Sequence, residues 1–224
     1  IRNVPSFSNL LYGILFLSIV HTIMEYHFLA VTDPIYPTQG EYQIFYSYYR
    51  LAITLLVLLL QIFITKEILE QMKIKNSFLL LPITATAVVI GLILVPGAGV
   101  IITGLIVFYL VRETVTRPSR KAFQDLVPKE KRGGIATYLG RYFPYAGTML
   151  GALFTGAVVV ISSNSSVPAE KIYLSIALLC TILGLWNIFR MRAVYDASLM
   201  NFRFSRQHNK KDTMNTVLLD RISD

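Results

Sequence analysis

The chain has a single cysteine, Cys180, which lies inside an apolar run, so an intrachain disulfide is excluded. The sequence also lacks a glycine-rich phosphate loop, a serine nucleophile motif, paired catalytic carboxylates and any cluster of metal-ligating residues. These absences predict that the chain is not an enzyme, has no catalytic residue, and holds neither a metal nor a cofactor.

Lysine and arginine are missing from alternate gaps between the hydrophobic segments. The gaps 32–41, 96–99 and 162–170 contain no basic residue, whereas 66–77, 117–134 and the C-terminal tail are rich in them. Basic residues in short loops resist translocation and remain on the cytoplasmic side of a membrane. The pattern therefore predicts that the basic gaps and both termini are cytoplasmic.

Hydrophobic residues make up 54% of the chain, well above the level of an ordinary soluble domain. A helix needs about 20 apolar residues to cross the hydrocarbon core, and six segments approach or exceed that length. Backbone hydrogen bonds in lipid must be satisfied internally, and no alternating strand pattern is present, so helices are predicted. The fold class is thus an all-α integral membrane bundle of six transmembrane helices. The predicted spans are Phe7–Val31, Tyr42–Thr65, Phe78–Val95, Val100–Thr116, Ile135–Ile161 and Ile172–Met191.

The last part of the chain differs from the rest in composition. Residues 1–192 contain the six spans, whereas 193–224 mix aromatic and basic residues and then become polar. This tail predicts a cytoplasmic interfacial helix followed by a linker to a further module. The chain has a net charge of +8, and its basic residues lie beside apolar spans rather than on one soluble face. We therefore expect them to contact the headgroups of the lipid bilayer and not nucleic acid.

Ionisable side chains within the first two spans form one candidate site. Such groups are costly in lipid and usually face a cavity or a partner. His21 and Glu25 are four residues apart and share a helix face, and Arg50 lies at a depth similar to that of Glu25. Gln61 follows on the same stripe as Arg50. Two interpretations stay open, a substrate or proton site and a structural Glu25–Arg50 ion pair.

A second candidate site lies near the cytoplasmic ends of the fourth and fifth spans. Arg112 is close to the end of the fourth span, and Arg141 in the fifth has Tyr138 and Tyr145 about one turn to either side. An arginine between two tyrosines can hold an anionic substrate through charge and ring contacts. The alternatives are a cytoplasmic gate and an arginine that reaches the interface.

The other side of the fifth span carries small residues. Gly140, Gly147 and Gly151 predict close packing against a neighbouring helix. Pro144, in the same span, is expected to bend the helix. The polar face and the glycine face would then point in opposite directions.

Several short motifs occur together in an order that resembles a known family. With their spacing they resemble the C-terminal six-helix half of a major facilitator superfamily protein, in the nucleotide (ATP/ADP) translocase-like branch. The resemblance covers nearly the whole chain up to about Tyr195. The motifs are Met24-Glu25-Tyr26-His27-Phe28, Leu60–Thr65 followed by Ile68-Leu69, Leu79-Leu80-Leu81-Pro82, Arg117–Arg120 with Leu126–Gly133, and the glycine-rich fifth span.

This resemblance implies a membrane transporter that works by alternating access, with its pathway between two six-helix halves. The second half would lie upstream in the same polypeptide or in another chain, and a cytosolic regulatory domain or partner subunit would follow the tail. The implied location is the bacterial inner membrane, with several passes and both termini in the cytoplasm.

Two functions from different classes remain as expectations. The first is a half of a transporter for an organic anion, with nucleotides among the candidates, in which Glu25 balances charge or carries a proton. The second is a non-transporting membrane anchor, or an assembly or regulatory subunit of a larger membrane complex. The chain has Gly134 and Tyr138 where the nucleotide carriers have a basic and an acidic residue, which argues against ATP/ADP exchange specifically and leaves loss of transport as an alternative. The residues expected to contact the anion or line its pathway are Glu25, Arg50, Gln61, Arg112, Tyr138, Arg141 and Tyr145.

Overall fold

The computed structural model describes residues 5–63, 74–125, 129–163 and 168–194. This described part is almost entirely helical and contains no strand. The helices are α1 (Pro5–Thr32), α2 (Gln39–Phe63), α3 (Ile74–Leu94), α4 (Ala98–Val111), α5 (Arg117–Asp125), α6 (Lys129–Thr137), α7 (Phe143–Ser162) and α8 (Ala169–Val194).

Six helical stretches within the described ranges are long and apolar enough to cross a membrane. Their number and order confirm the prediction of six spans in an all-α bundle, and they indicate a multi-pass membrane protein. The predicted tail, 193–224, lies outside the described residues from position 195 onward. The spans are Phe7–Ile35, Gln39–Phe63, Asn76–Leu94, Ala98–Gln124, Gly133–Ser162 and Ala169–Val194.

The fourth span is longer than the sequence predicts. We expected it to end at Thr116, ahead of a basic gap that contains Pro118, a residue with no N–H and a ring that clashes with a carbonyl of the preceding turn in an α-helix. Instead, residues Arg112–Thr116 form a π-helical segment in which the Arg117 N–H bonds to Arg112 O, five residues back. The wider turn accommodates the proline, and the helix continues as α5.

The fifth span contains a second π-helical segment at a matching position. It covers Tyr138–Tyr142, joins α6 to α7, and bonds the Phe143 N–H to Tyr138 O. Pro144 follows one residue later, as Pro118 follows Arg117 in the fourth span. Pro144, which we expected to bend this helix, is therefore accompanied by a local change from α-helical to π-helical hydrogen bonding.

The glycines of α7 bring it into close contact with α1, as predicted. A Cβ atom at Gly147 would lie 2.5 Å from Leu15 O, and one at Gly151 would lie 3.0 Å from Ile19 O. These neighbours are backbone atoms of a packed helix and have no rotamer to change. Gly140, the third glycine of the stripe, would meet nothing within 4 Å.

Helix α1 lies at the centre of the bundle and contacts α3, α4 and α7. Near its C-terminal end, His27 is fully buried and its Nδ1 lies 2.9 Å from the Tyr173 hydroxyl of α8. Two groups of buried apolar side chains pack around α1, one toward each end. His21 and Glu25 of α1 fall within the stretch Leu17–Phe28 that supplies the first of these groups, so the site forms within the bundle.

Candidate functional site

Four polar side chains of the first and fourth spans form a continuous network. The Tyr109 hydroxyl donates a hydrogen bond to Glu25 Oε1. The other oxygen, Glu25 Oε2, lies 3.7 Å from His21 Nδ1, and Arg112 Nη1 lies 2.9 Å from His21 Nε2. The helical spacing explains this arrangement, because residues three or four apart share a face and each span contributes one such pair.

Arg50 joins the edge of this network from α2. Its Nε donates a hydrogen bond of 3.0 Å to the Tyr46 hydroxyl, and its guanidinium carbon lies 5.8 Å from the centre of the Tyr109 ring. Among the described ion pairs there is none between Glu25 and Arg50. Tyr109 lies between them, with its hydroxyl on the carboxylate and its ring toward the guanidinium, so the predicted direct pair is replaced by a shared tyrosine.

Two cavities lie on opposite sides of the network. The outer cavity, of about 200 Å³, is lined by Glu25, Arg50 and Tyr109 together with the aromatic residues Phe28, Tyr46 and Tyr49. The inner cavity, of about 180 Å³, lies toward the predicted cytoplasmic ends of the spans, and both His21 and Arg112 line it. The network therefore separates the two spaces, with one pair of its members facing each.

The inner cavity carries an excess of positive charge. Three arginines line it, Arg112, Arg117 and Arg120. A single carboxylate, Glu113, lies 3.8 Å from Arg112 Nε and 2.5 Å from Arg117 Nη1. Arg120 Nη1 lies 3.5 Å from Leu139 O, and its buried Nε has no hydrogen-bond partner in the described part of the chain. Three guanidinium groups against one carboxylate make this cavity suited to an anion.

Hydroxyl groups complete the inner cavity. Ser18 of α1, Thr116 of the first π-helical segment and Tyr145 and Thr148 of α7 all line it. The Ser18 and Thr116 hydroxyls donate to backbone carbonyls of their own helices, which leaves their oxygen lone pairs directed elsewhere. The cavity thus combines fixed cations with neutral groups able to donate or accept hydrogen bonds.

The predicted site residues do not form one group. Glu25 and Arg50 line the outer cavity, and Arg112 and Tyr145 line the inner one. Tyr138 and Arg141 are exposed and line neither cavity. The π-helical segment explains this, because its hydrogen bonds run five residues back and the spacing that would align these residues on an α-helix does not hold across it.

Gln61, the seventh predicted residue, has a contact of a different kind. In the register set by Arg117, the next N–H would bond to Glu113 O, but residue 118 is a proline and has no N–H. Gln61 Nε2 donates a hydrogen bond of 3.3 Å to this carbonyl from α2. Gln61 thereby satisfies a backbone group that the proline leaves without a donor.

Three residues of the site were not predicted from the sequence. Arg117 and Arg120 were assigned to the basic cytoplasmic gap 117–134, beyond the predicted end of the fourth span. Tyr109 was overlooked although it precedes Arg112 by three residues, a spacing that places both on one helix face. That spacing was the signal that could have found Tyr109, whereas no local signal identifies Arg120 as a cavity residue.

Within the described ranges there is no group of three or more histidine, cysteine, aspartate or glutamate side chains that could hold a metal ion. Comparisons of the chain with protein-family models, with curated proteins and with solved structures found no match. The resemblance to half of a major facilitator protein therefore stays a prediction.

Proposed function

We propose that this chain is one six-helix half of a transporter that moves an organic anion across a membrane by alternating access, with nucleotides as the first class to test. The observation that carries the proposal is the inner cavity, where Arg112, Arg117 and Arg120 face one carboxylate inside a membrane bundle. Uncompensated charge within a span is costly, so its retention points to a ligand of opposite sign.

The six spans are buried to different extents by the rest of the chain, which supports the proposal of a second six-helix half. Only 11% of the most apolar stretch of the second span and 17% of that of the fifth are buried within the chain, against 28% to 44% for the other four. The second span also leaves the polar side chains of Arg50, Thr54 and Gln61 exposed, so the described helices cover its polar side incompletely. Polar groups at this depth are costly against lipid, so we propose that another six-helix half covers this side and that the pathway lies between the halves.

The two cavities would then act at different stages of transport. Arg120 and Arg112 bind the anion from the cytoplasmic side, since both line the inner cavity and Arg120 Nε is unused. Arg50 would meet the anion at the outer cavity, where its guanidinium also lies 5.4 Å from the centre of the Tyr46 ring. The network of Tyr109, Glu25 and His21 separates the two positions.

The test is uptake of radiolabelled ATP and ADP by liposomes that contain the full-length protein with its partner half. We expect Arg120→Gln to reduce uptake at least tenfold, because it removes a cavity charge. Arg190→Gln is the matched control, since Arg190 is exposed on α8, lies against Trp186 and lines neither cavity. Uptake that survives Arg120→Gln would contradict the assigned site. Absence of transport in every preparation, with the protein folded, would favour the membrane anchor or assembly subunit.

A further inference from the structure

The contact between Arg112 and His21 fixes the protonation state of the histidine. A guanidinium has hydrogen-bond donors and no acceptor, so the 2.9 Å contact requires His21 Nε2 to accept. His21 is therefore neutral, with its proton on Nδ1. That nitrogen lies 3.7 Å from Glu25 Oε2, so the remaining N–H is directed toward a carboxylate.

The His21 ring is held in place, whereas Arg112 has a second environment available. The imidazole stacks on Phe108 at 5.4 Å between centroids and meets the edge of Tyr109 at 5.2 Å. Arg112 lines the inner cavity, where an anion would be its competing partner. An anion in that cavity can therefore draw the guanidinium away while the imidazole stays between its two aromatic neighbours.

Charged and titratable groups surround His21 from several helices. Glu25 faces it from α1, Tyr109 and Arg112 from the fourth span, and Arg50 approaches through the Tyr109 ring from α2. Arg117, Arg120 and Tyr145 line the same inner cavity as His21. Glu25 is the one carboxylate in contact with the imidazole among the described residues, so a proton on Nε2 would be stabilised through Nδ1–H and Glu25.

We propose that His21 is a proton-binding site coupled to the anion of the proposed function, so that anion and proton enter the protein together. The anion attracts the Arg112 guanidinium and breaks its hydrogen bond to His21 Nε2. One N–H bond then forms at Nε2 with a proton that hydronium delivers from solution through the inner cavity, and the hydronium is left as water. The added positive charge is offset by the bound anion, and the imidazolium is paired with Glu25.

This coupling has a fixed sign. Because the anion-bound state holds one more proton than the empty state, anion affinity rises as pH falls, by about tenfold per pH unit over the range in which His21 changes its charge. By the same linkage, anion binding raises the proton affinity of His21. A site without coupling would show only the pH dependence of the anion itself.

Calorimetry with ATP in buffers of different ionisation enthalpy counts the protons taken up on binding. His21→Gln is the control, because its amide oxygen can still accept from Arg112 but takes no proton, and the ionisation of ATP is the same in both proteins. We expect the wild-type protein to take up about one proton more per ATP than His21→Gln. Equal proton counts with ATP bound to both would overturn the coupling and leave the proposed function standing.

A second measurement needs no anion. In ¹⁵N-histidine spectra of the full-length protein, wild-type His21 should keep the neutral Nδ1–H form over a range of pH in which Arg112→Leu shows a charged His21. His27 is the internal reference, because its Nδ1 bonds to Tyr173 and it does not line the inner cavity. Identical His21 signals in the two proteins would overturn the control by Arg112. Failure of every protein, wild type included, to bind ATP would instead overturn a nucleotide as the anion of the proposed function, and the ATP-driven step with it.

Discussion

The fourth and fifth spans each contain a π-helical segment with a proline two residues after its end. In the fourth span Pro118 follows Arg112–Thr116, and in the fifth Pro144 follows Tyr138–Tyr142. The next π-helical hydrogen bond of each segment would need a backbone N–H from the proline, which has none. A side chain from another helix approaches the carbonyl that is left without this donor.

The two substitute donors differ in charge and burial. In the fourth span the donor is Gln61, a neutral residue on the exposed side of α2, 3.3 Å from Glu113 O. In the fifth it is Arg120, whose Nη1 lies 3.5 Å from Leu139 O while its Nε stays buried without a partner. The first donor satisfies a backbone carbonyl only. The second also places a positive charge in the inner cavity, so a local backbone requirement helps to position a candidate ligand-binding group.

The largest expected effect is on stability, and it tests whether packing of α7 on α1 holds the fifth span in position. Gly147→Val should destabilise the bundle by about 3 kcal/mol, because the new side chain would collide with the backbone of α1 at Leu15. Gly156→Val is the matched control, since a Cβ there would meet nothing within 4 Å. Unfolding in mixed micelles of increasing SDS content, followed by circular dichroism, would measure both. Equal stability of the two variants would mean that α7 does not depend on this contact.

The next effect distinguishes the two donors by function. Arg120→Gln should lower ATP affinity by about tenfold or more, since it removes a charge from the inner cavity while retaining an amide donor. Gln61→Leu, at the corresponding donor of the fourth span, should change ATP affinity much less. Equilibrium binding of labelled ATP to the purified full-length protein would measure both affinities. A larger loss for Gln61→Leu would reverse the assignment of the two sites.

A smaller effect concerns stability at the fourth span alone. Gln61→Leu should reduce the free energy of unfolding by about 1 kcal/mol, because Glu113 O loses the donor that replaces the missing proline N–H. Gln61→Glu, similar in size but unable to donate when ionised, should cost at least as much. The SDS titration used for the glycine variants applies here. Unchanged stability in both variants would show that water serves the carbonyl equally well.

The smallest effect comes from returning the missing backbone donor. Pro118→Ala restores an N–H that can reach Glu113 O, so Gln61→Leu should cost about 0.5 kcal/mol less in that background than in the wild type. A double-mutant cycle on the free energy of unfolding gives this coupling. Additive effects of the two substitutions would show that Gln61 does not replace the missing N–H of Pro118, so that the two spans would no longer share this arrangement.

Much of the fold followed from local sequence. The six spans were predicted from apolar length, and the close packing of Gly147 and Gly151 on a neighbour was predicted from their spacing; the structure confirms both. Glu25, Arg50 and Arg112 were selected because charge within a span is costly, and each lines a cavity. These inferences succeeded because burial of apolar groups and the cost of charge in lipid depend on the residue and its immediate neighbours.

Predictions from local sequence failed around Pro118 and Pro144. The fourth span was expected to end at Thr116, which removed Arg117 and Arg120 from consideration, and an α-helical register was assumed around Arg141. Both expectations were wrong because the spans contain π-helical segments, whose hydrogen bonds are compatible with the prolines. Side-chain donors from other helices approach the carbonyls that the prolines leave without an N–H. No window of sequence around Pro118 or Pro144 contains the partner that approaches its carbonyl from another helix.

The sequence by itself determined the number and order of the spans and the positions of their charges, because a helix in lipid is specified by its own composition. Only the tertiary structure decided which charges share a cavity and which nitrogen of His21 carries the proton. Those features depend on pairs far apart in the chain, such as His21 with Arg112, 91 residues away, and Gln61 with Glu113, 52 residues away. A hydrogen bond needs a donor and an acceptor within about 3 Å, and that proximity exists only once the helices have packed.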